Sequence, residues 1–328
     1  MKILVTGATG YIGHQLAKKL AENGYRVIAL VRDINSPKIP EHENIMPVNG
    51  DICDYKFVVD AIEGCDYVFH TAAFTNLKCK KIDNFYNTNV LGTKNILEAS
   101  LKADVKKVIY TSTLSVYGTS YKNVPIQESQ PRLVAYANDY ELTKTMAEEL
   151  VETYTKKGLS TAILNVSRVY GPGLDTFSNG VNRLILKMIK SQLLIVPSKL
   201  NISANYVFID DVVNAHILTI SDKNVKGKYI VGGEDLSYQK LFEIIKRTAE
   251  SKVKIITVSY HFVKACLSLL NGIYLLIGSS FGITPKLLDA LFQNRLASSK
   301  RAINQLGYTI TPFKIGVERT INFLKLSL

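Results

Sequence analysis

Metal-ligand and disulfide patterns are missing from this chain of 328 residues. The four cysteines, Cys53, Cys65, Cys79 and Cys266, form no C-x-x-C pair and adjoin no histidine cluster, which excludes the common zinc spacings and a disulfide framework. Reduced thiols in a cytoplasmic protein without metal are expected. There is no internal repeat and no low-complexity tract. No charged n-region followed by an apolar h-region opens the chain: KILVTG at 2–7 reads as a buried strand, so the mature chain is expected to start at Met1. Acidic residues are few, 28 against 40 Lys and Arg, for a net charge of +12 that favours anionic ligands such as phosphates or acidic lipid. The cations fall in scattered pairs such as Lys18–Lys19, Lys80–Lys81, Lys106–Lys107 and Lys156–Lys157, without the aromatic-interleaved basic block of a nucleic-acid surface. No nucleic-acid partner is expected.

Long uncharged runs are also scarce. One, ACLSLLNGIYLLIGSSFGI at 265–283, approaches the length of about 20 residues that crosses a bilayer, but Asn271, three glycines and several serines interrupt it. The favoured reading is a buried helix, a break near Gly278 to Gly282 and a second helix from Pro285; contact with a membrane surface stays open as the less favoured one. A composition of 47% hydrophobic and 21% charged residues excludes disorder, collagen-like repeats and coiled coil. The length suits one large domain or two cooperating lobes.

Short β-branched runs (KILVTG, RVIALV, DYVFHTAA, KVIYTS, TAILNVS) alternate with segments of helical period such as GHQLAKKLAENG. That alternation predicts an α/β fold, a doubly wound parallel Rossmann sheet with right-handed crossovers. NYVFI followed by DDVVNAHILTI predicts one further strand and helix of the same sheet. The remaining segments read as mostly helical and form a smaller, discontinuous C-terminal substrate lobe. The expected partition is a dinucleotide-binding part at 1–170 and 204–232 and a lobe at 171–203 and 233–328.

Gly7, Gly10 and Gly13 in TGATGYIG follow the first strand and open the first helix. Glycines there let the backbone approach a pyrophosphate, and the helix start offers free N–H groups, so Gly7, Thr9, Gly10, Tyr11, Ile12 and Gly13 are candidate cofactor-binding residues. At the end of the second strand an acid would bind a ribose 2′-hydroxyl, whereas Arg32 suits a 2′-phosphate and favours NADP(H) over NAD(H). Asp33, 20 residues past Gly13, argues the other way. Asp51 and Ile52 in NGDICD, with Thr71, Ala72 and Ala73 in VFHTAAF, stand just past the third and fourth strands, where they could line the adenine and pyrophosphate crevice; Asp51 reads equally as a turn residue.

Tyr140 and Lys144 in DYELTK share one helix face, where an ammonium beside a phenol makes the phenol a usable acid or base. Tyr260 and Lys264 repeat the spacing, but only the first pair is preceded by a hydroxyl, Thr113, at the end of strand KVIYTS.

With TGATGYIG, GDICD, HTAA, NTNVLGTKNILEA, VIYTSTLSVYG, YELTK, VYGPG and FIDDVVNAH in order and at family spacing, the sequence resembles the extended short-chain dehydrogenases/reductases, also called the NAD-dependent epimerase/dehydratase family, nearly end to end. The resemblance implies a nicotinamide dinucleotide, a catalytic Thr113–Tyr140–Lys144 triad, a structural Asn89, and further cofactor contacts at Asn89, Thr111 and Val166. Tyr140 would exchange a proton with the substrate oxygen, Thr113 would hydrogen-bond that oxygen, and Lys144 would grip the nicotinamide ribose. The family often dimerises through helices that include the one bearing Tyr140, which implies a homodimer.

Departures from the family pattern narrow the chemistry. Leu114 and Ser115 replace the Asp-Glu pair of sugar-nucleotide dehydratases, Ala204 stands where nucleotide-sugar epimerases carry a diphosphate-binding Arg, Arg168 replaces a common Asn, and Val166 a frequent Pro. LVRD, GKYIVGGEDLS and RLASSKRAINQLGY resemble instead the dihydroflavonol-reductase-like and hopanoid-associated branch. The expected function is an NADP(H)-dependent oxidoreductase interconverting a small-molecule ketone or aldehyde and an alcohol, with Phe74, Leu114, Ser115 and Tyr206 as pocket-lining candidates. The alternatives are an NAD-dependent sugar epimerase and, more remotely, a non-catalytic dinucleotide-binding protein.

Overall fold

Residues 1–79, 81–222, 224–276 and 284–326 are described by a computed structural model. Its elements run β1 (Lys2–Thr6), α1 (Tyr11–Glu22), β2 (Arg26–Val31), β3 (Ile45–Asn49), α2 (Tyr55–Ile62), β4 (Tyr67–His70), α3 (Ile82–Tyr86), a π-helical turn (Asn87–Leu91), α4 (Gly92–Lys102), β5 (Lys107–Thr113), α5 (Asp139–Lys156), β6 (Thr161–Val166) and β7 (Arg168–Tyr170). They continue through α6 (Gly180–Lys190), β8 (Leu193–Pro197), β9 (Ser203–Phe208), α7 (Ile209–Ser221), β10 (Gly227–Val231), β11 (Glu234–Ser237), α8 (Tyr238–Thr248), β12 (Lys254–Val258), α9 (Tyr260–Leu276), α10 (Pro285–Leu291), α11 (Lys300–Leu306) and α12 (Phe313–Leu326).

Seven parallel strands form the central sheet in the order β10-β6-β5-β4-β1-β2-β3. Helices cover both faces, so the inner strands carry unbroken apolar runs rather than alternation: Ile3, Leu4 and Val5 are all fully buried, as are Val108, Ile109 and Tyr110. The strand order reverses between β1 and β4, and the crevice beyond their carboxyl ends is where such a sheet holds ligands.

Two expectations need correction. The strand NYVFI, β9, does not join the parallel sheet; it pairs with β7 and β11 in a separate three-stranded sheet, and the seventh strand of the main sheet is β10. A run of apolar residues predicts a strand, but it does not say which edge will receive it. The segments at 171–203 and 233–328 are mostly helical, as expected, with β8 and β12 paired in a small parallel sheet beside their helices. Finally, α9 is not a buried helix: of the residues at 260–273 only Tyr260 and Leu267 are buried, and Leu269 is 68% exposed. The break near Gly278 to Gly282 lies outside the described residues, while a helix does start at Pro285. Among the described residues no helix is long and apolar enough to cross a membrane.

Candidate functional site

The turn after β1 is closed by its glycines. Gly7 has φ +75°, a left-handed conformation, and a Cβ at Gly13 would lie 2.2 Å from the Gly7 carbonyl, so both positions exclude any larger residue. A Cβ at Gly10 would meet only that same carbonyl, leaving the position open on its other side. Gly10 caps α1 without a side-chain bond, and no acid occupies the first turn, so the helix start faces the crevice with its positive end uncompensated. Thr9 and Ile12 are half-buried around it. Tyr11 offers its backbone alone to this turn, because its buried phenol donates 2.7 Å to the Gly171 carbonyl and ties α1 to the VYGPG segment. Across the turn, Thr71 Oγ1 donates to the Thr6 carbonyl at 2.7 Å and Ala72 N to Thr6 Oγ1 at 3.3 Å, packing the 71–73 segment against Gly7.

Thr113 ends β5 and stands in register with Val166 at the end of β6. Its Oγ1 caps the short 3₁₀ turn Leu114–Tyr117 by accepting from Ser115 N at 3.2 Å, which aims the hydroxyl out of the sheet. Helix α5, started by Asn138 Oδ1 accepting from Glu141 N, brings Tyr140 and Lys144 to this edge. Burial pushes the Tyr140 phenol up to about 12, against the facing Thr113 hydroxyl, which lowers it; Glu141 adds to the rise. Lys144 is 1% exposed, donates 2.8 Å to the Thr111 carbonyl and lies 4.0 Å over the Tyr110 ring. Burial depresses its ammonium to about 7, with Glu148 pulling it back upward. The arrangement is a protonated phenol and a hydroxyl at one strand end, backed by a desolvated amine.

Asn89 sits in the π-helical turn and stitches two elements together: its Oδ1 accepts from Phe74 N at 2.7 Å, and its Nδ2 donates to Phe74 O and to Thr143 Oγ1 on α5. Such π insertions recur at functional sites because they re-aim side chains. Thr111 presents its carbonyl to Lys144, while its hydroxyl bonds His216 at 2.7 Å. Arg32 and Asp33 are both exposed at the end of β2, and Asp33 Oδ1 accepts from Asn35 N, a turn bond that occupies one of its oxygens. Asp51 Oδ1 likewise accepts from Cys53 N at 2.9 Å. The Ile52 carbonyl accepts from Asn95, and its side chain packs into the space above Gly92. Ser167, next to Val166, keeps a buried hydroxyl without a protein partner at this edge. An uncapped helix start, a glycine cradle and an orphaned hydroxyl at the strand ends fit a dinucleotide laid along the crevice.

Of the pocket candidates, Leu114 and Tyr206 are buried, at 3% and 2% exposure; Ser115 is at the margin of burial, and Phe74 packs edge-on against Phe85. A cavity of about 230 Å³ is lined by none of these four but by others, among them Arg132, Tyr136, Glu141, Lys286 and Arg295. Sequence reading missed this cluster. Its signal was faint: four of these residues come from a loop and from α10 or beyond, joined only by the fold. Both guanidiniums are spent on protein partners, Arg132 on Glu141 at 2.6 Å and on the Ser115 and Val116 carbonyls, Arg295 on Glu141 at 3.2 Å and on the Gly118 carbonyl. Glu148, also missed, pulls the Lys144 ammonium upward and is itself held by Ser112, Asn165 and Lys228. Arg168 stacks beside Tyr206 and Tyr238 and donates to Tyr238 Oη at 3.0 Å. Tyr260 and Lys264, which share the Y-x-x-x-K spacing, both bond Asp289 on α10, so that match is a tie between helices.

The model of the NAD dependent epimerase/dehydratase family matches residues 3–232. Among curated proteins, cinnamoyl-CoA reductase 1 of Petunia hybrida is 30% identical over 260 residues, covering 75% of this chain and 76% of the relative. UDP-N-acetyl-alpha-D-glucosaminuronate decarboxylase of Bacillus cytotoxicus is 31% identical over 276 residues, 80% of this chain and 84% of the relative. Among solved structures, UDP-glucose 4-epimerase of Thermotoga maritima with UDP-glucose superposes with a TM-score of 0.81 over 100% of this chain and 99% of the other, at 23% identity, and so shares the fold. The chain belongs to the NAD dependent epimerase/dehydratase family, the extended short-chain dehydrogenases/reductases, and is an enzyme.

Proposed function

We propose that this member of the family is an NADP(H)-dependent reductase of a small-molecule ketone or aldehyde, working through Thr113, Tyr140 and Lys144. The observation that carries the reading is the convergence at the end of β5 of a protonated phenol, a neighbouring hydroxyl and a buried lysine. Residues 1–170 and 204–232 would bind the dinucleotide and 171–203 with 233–328 the substrate. The glycine turn with Thr9, Tyr11 and Ile12 would hold the pyrophosphate, Arg32 the 2′-phosphate, and Asp51, Ile52 and Thr71 to Ala73 the adenosine side of the crevice.

When bound, the dinucleotide supplies the hydride. The Tyr140 phenol, held protonated at neutral pH, donates its proton to the substrate oxygen as that oxygen gains negative charge. The Thr113 hydroxyl orients the same oxygen, and Lys144 steadies the phenolate left on Tyr140. Arg132 and Arg295 are already bonded to Glu141 and brace the cavity wall, so neither guanidinium is free to grip a diphosphate, which supports a small carbonyl substrate over a nucleotide sugar.

A sugar epimerase with tightly held NAD is the second reading, supported by the nucleotide-sugar relative and by the likeness to the epimerase fold. Mass spectrometry of the dinucleotide released on denaturation separates the two, together with NADPH and NADH titrations. Empty protein that binds NADPH more tightly is expected; stoichiometric retained NAD would overturn the reductase reading in favour of the epimerase. Tyr140→Phe should then abolish NADPH oxidation in a ketone screen while leaving NADPH affinity within about twofold. An unaltered rate would refute the role given to Tyr140.

A further inference from the structure

Helix α9 departs from the rule that a surface helix is apolar on one side and polar on the other. Its inner stripe, Tyr260, Val263 and Leu267, packs with Leu288 and Phe292 at α10. Opposite, at helical spacing, run Phe262, Cys266, Leu269 and Ile273, with Leu269 68% exposed, Phe262 63% and Ile273 48%. Of the described residues in α9 the one carrying a full charge is Lys264, and it is paired with Asp289 on α10, away from that outer stripe. Single exposed apolar residues are ordinary, but a stripe of three turns without a charge is a surface built to be covered.

The chain enters this helix from a second surface of the same kind. In the β8–β12 pair, Ile195 and Ile256 are register partners and therefore share a face, where they are 60% and 49% exposed beside Lys254.

Charge says what covers it. Residues 171–203 and 233–328 carry 17 Lys and Arg against 7 Asp and Glu, a net +10 of the chain's +12, so the remainder is nearly balanced. Exposed Lys254 on β12 and Lys286 on α10 lie on the elements that adjoin α9, and exposed Lys252 lies just before β12. Two copies of so cationic a lobe repel each other, whereas an anionic lipid surface attracts the lysines and accepts the apolar stripe into its acyl boundary.

We propose that the C-terminal lobe docks on anionic membrane surfaces through the outer face of α9, lying in the interface without crossing it. The cavity wall gives the docking a consequence. Lys286, Asp289 and Ala290 on α10 line the cavity and α9 packs directly on α10, so a membrane-seated α9 places the substrate lobe against lipid.

The test is co-sedimentation of the full chain with vesicles of phosphatidylcholine alone and with about 30% phosphatidylglycerol, at about 0.1 M salt, where the Debye length is about 10 Å. The wild type should partition into the anionic vesicles at least tenfold more strongly than into the neutral ones. Leu269→Glu with Ile273→Glu should lower that partition at least tenfold with unchanged far-UV circular dichroism and unchanged dinucleotide affinity. Ile273→Ser alone, a milder change at an exposed site, should lower it severalfold. Equal partition of wild type and variants, no sedimentation with anionic vesicles, or a concentration-dependent dimer that the Leu269→Glu change dissolves would each overturn the proposal, the last by making a second copy the occupant.

Discussion

Lys144→Met should stabilise the dinucleotide-free protein at mildly acid pH and destabilise it at alkaline pH. The Lys144 ammonium is depressed from an ordinary 10.5 to about 7, chiefly by burial. A difference of about 3.5 units is worth about 5 kcal/mol at 1.36 kcal/mol per unit, the cost of keeping the ammonium charged in the fold. Methionine removes that cost. It also loses the 2.8 Å bond to the Thr111 carbonyl and the contact over the Tyr110 ring, together about 3 kcal/mol. The variant should therefore gain about 2 kcal/mol at pH 6. The folded-state value lies below the unfolded one, so between about pH 7 and 10.5 the unfolded chain binds the additional proton. Wild-type stability then rises relative to the variant by up to about 1.4 kcal/mol per pH unit. The two curves should cross near pH 8 to 9. The chain contains no tryptophan, so urea unfolding is best followed by far-UV circular dichroism from pH 6 to 10. Parallel curves across that range would refute the claim that the fold holds Lys144 desolvated.

Other expectations follow from single contacts. Arg32→Ala should lower the NADPH-to-NADH ratio of kcat/KM by about tenfold, the worth of one charge-assisted bond to a 2′-phosphate; an unchanged ratio would hand the ribose to Asp33. Gly13→Ala puts a Cβ 2.2 Å from the Gly7 carbonyl, and should cost about 1–3 kcal/mol in chemical denaturation and weaken dinucleotide binding at least tenfold. Buried His70 and His216 are depressed to about 3 and about 4, mainly by burial, so the unfolded chain takes up protons first. Their contribution to stability is intact above about pH 6.5 and declines as pH falls toward 4. A melting temperature that stays flat from pH 7 to 4.5 would contradict it.

Some of the molecule was legible because local chemistry and global fold agree. TGATGYIG announces its turn, since only glycine tolerates both the positive φ at Gly7 and the carbonyl beside Gly13. The alternating strand and helix pattern yields the parallel sheet because its strands are covered on both faces. The Thr113 to Tyr140 relation could be read because each lies at a boundary the sequence marks: a strand end, and a helix opened by Asn138.

Other features have no local signature. Which strand becomes the seventh is decided by competition for an edge, and Gly227–Val231 takes it while Ser203–Phe208 pairs elsewhere. The Arg132–Glu141–Arg295 cluster brings Arg295 to a residue 154 positions earlier in the chain. Whether the apolar residues of α9 face a core or the outside depends on how much surface α10 can cover, and one short helix of 7 residues covers only one side. The sequence by itself determined the turn, the sheet type and the spacing of the reactive groups, because these rest on sterics and periodicity within a few residues. Only the tertiary structure decided the edge strand, the cavity wall and the exposed stripe, because burial is a property of what packs nearby and not of the residue itself.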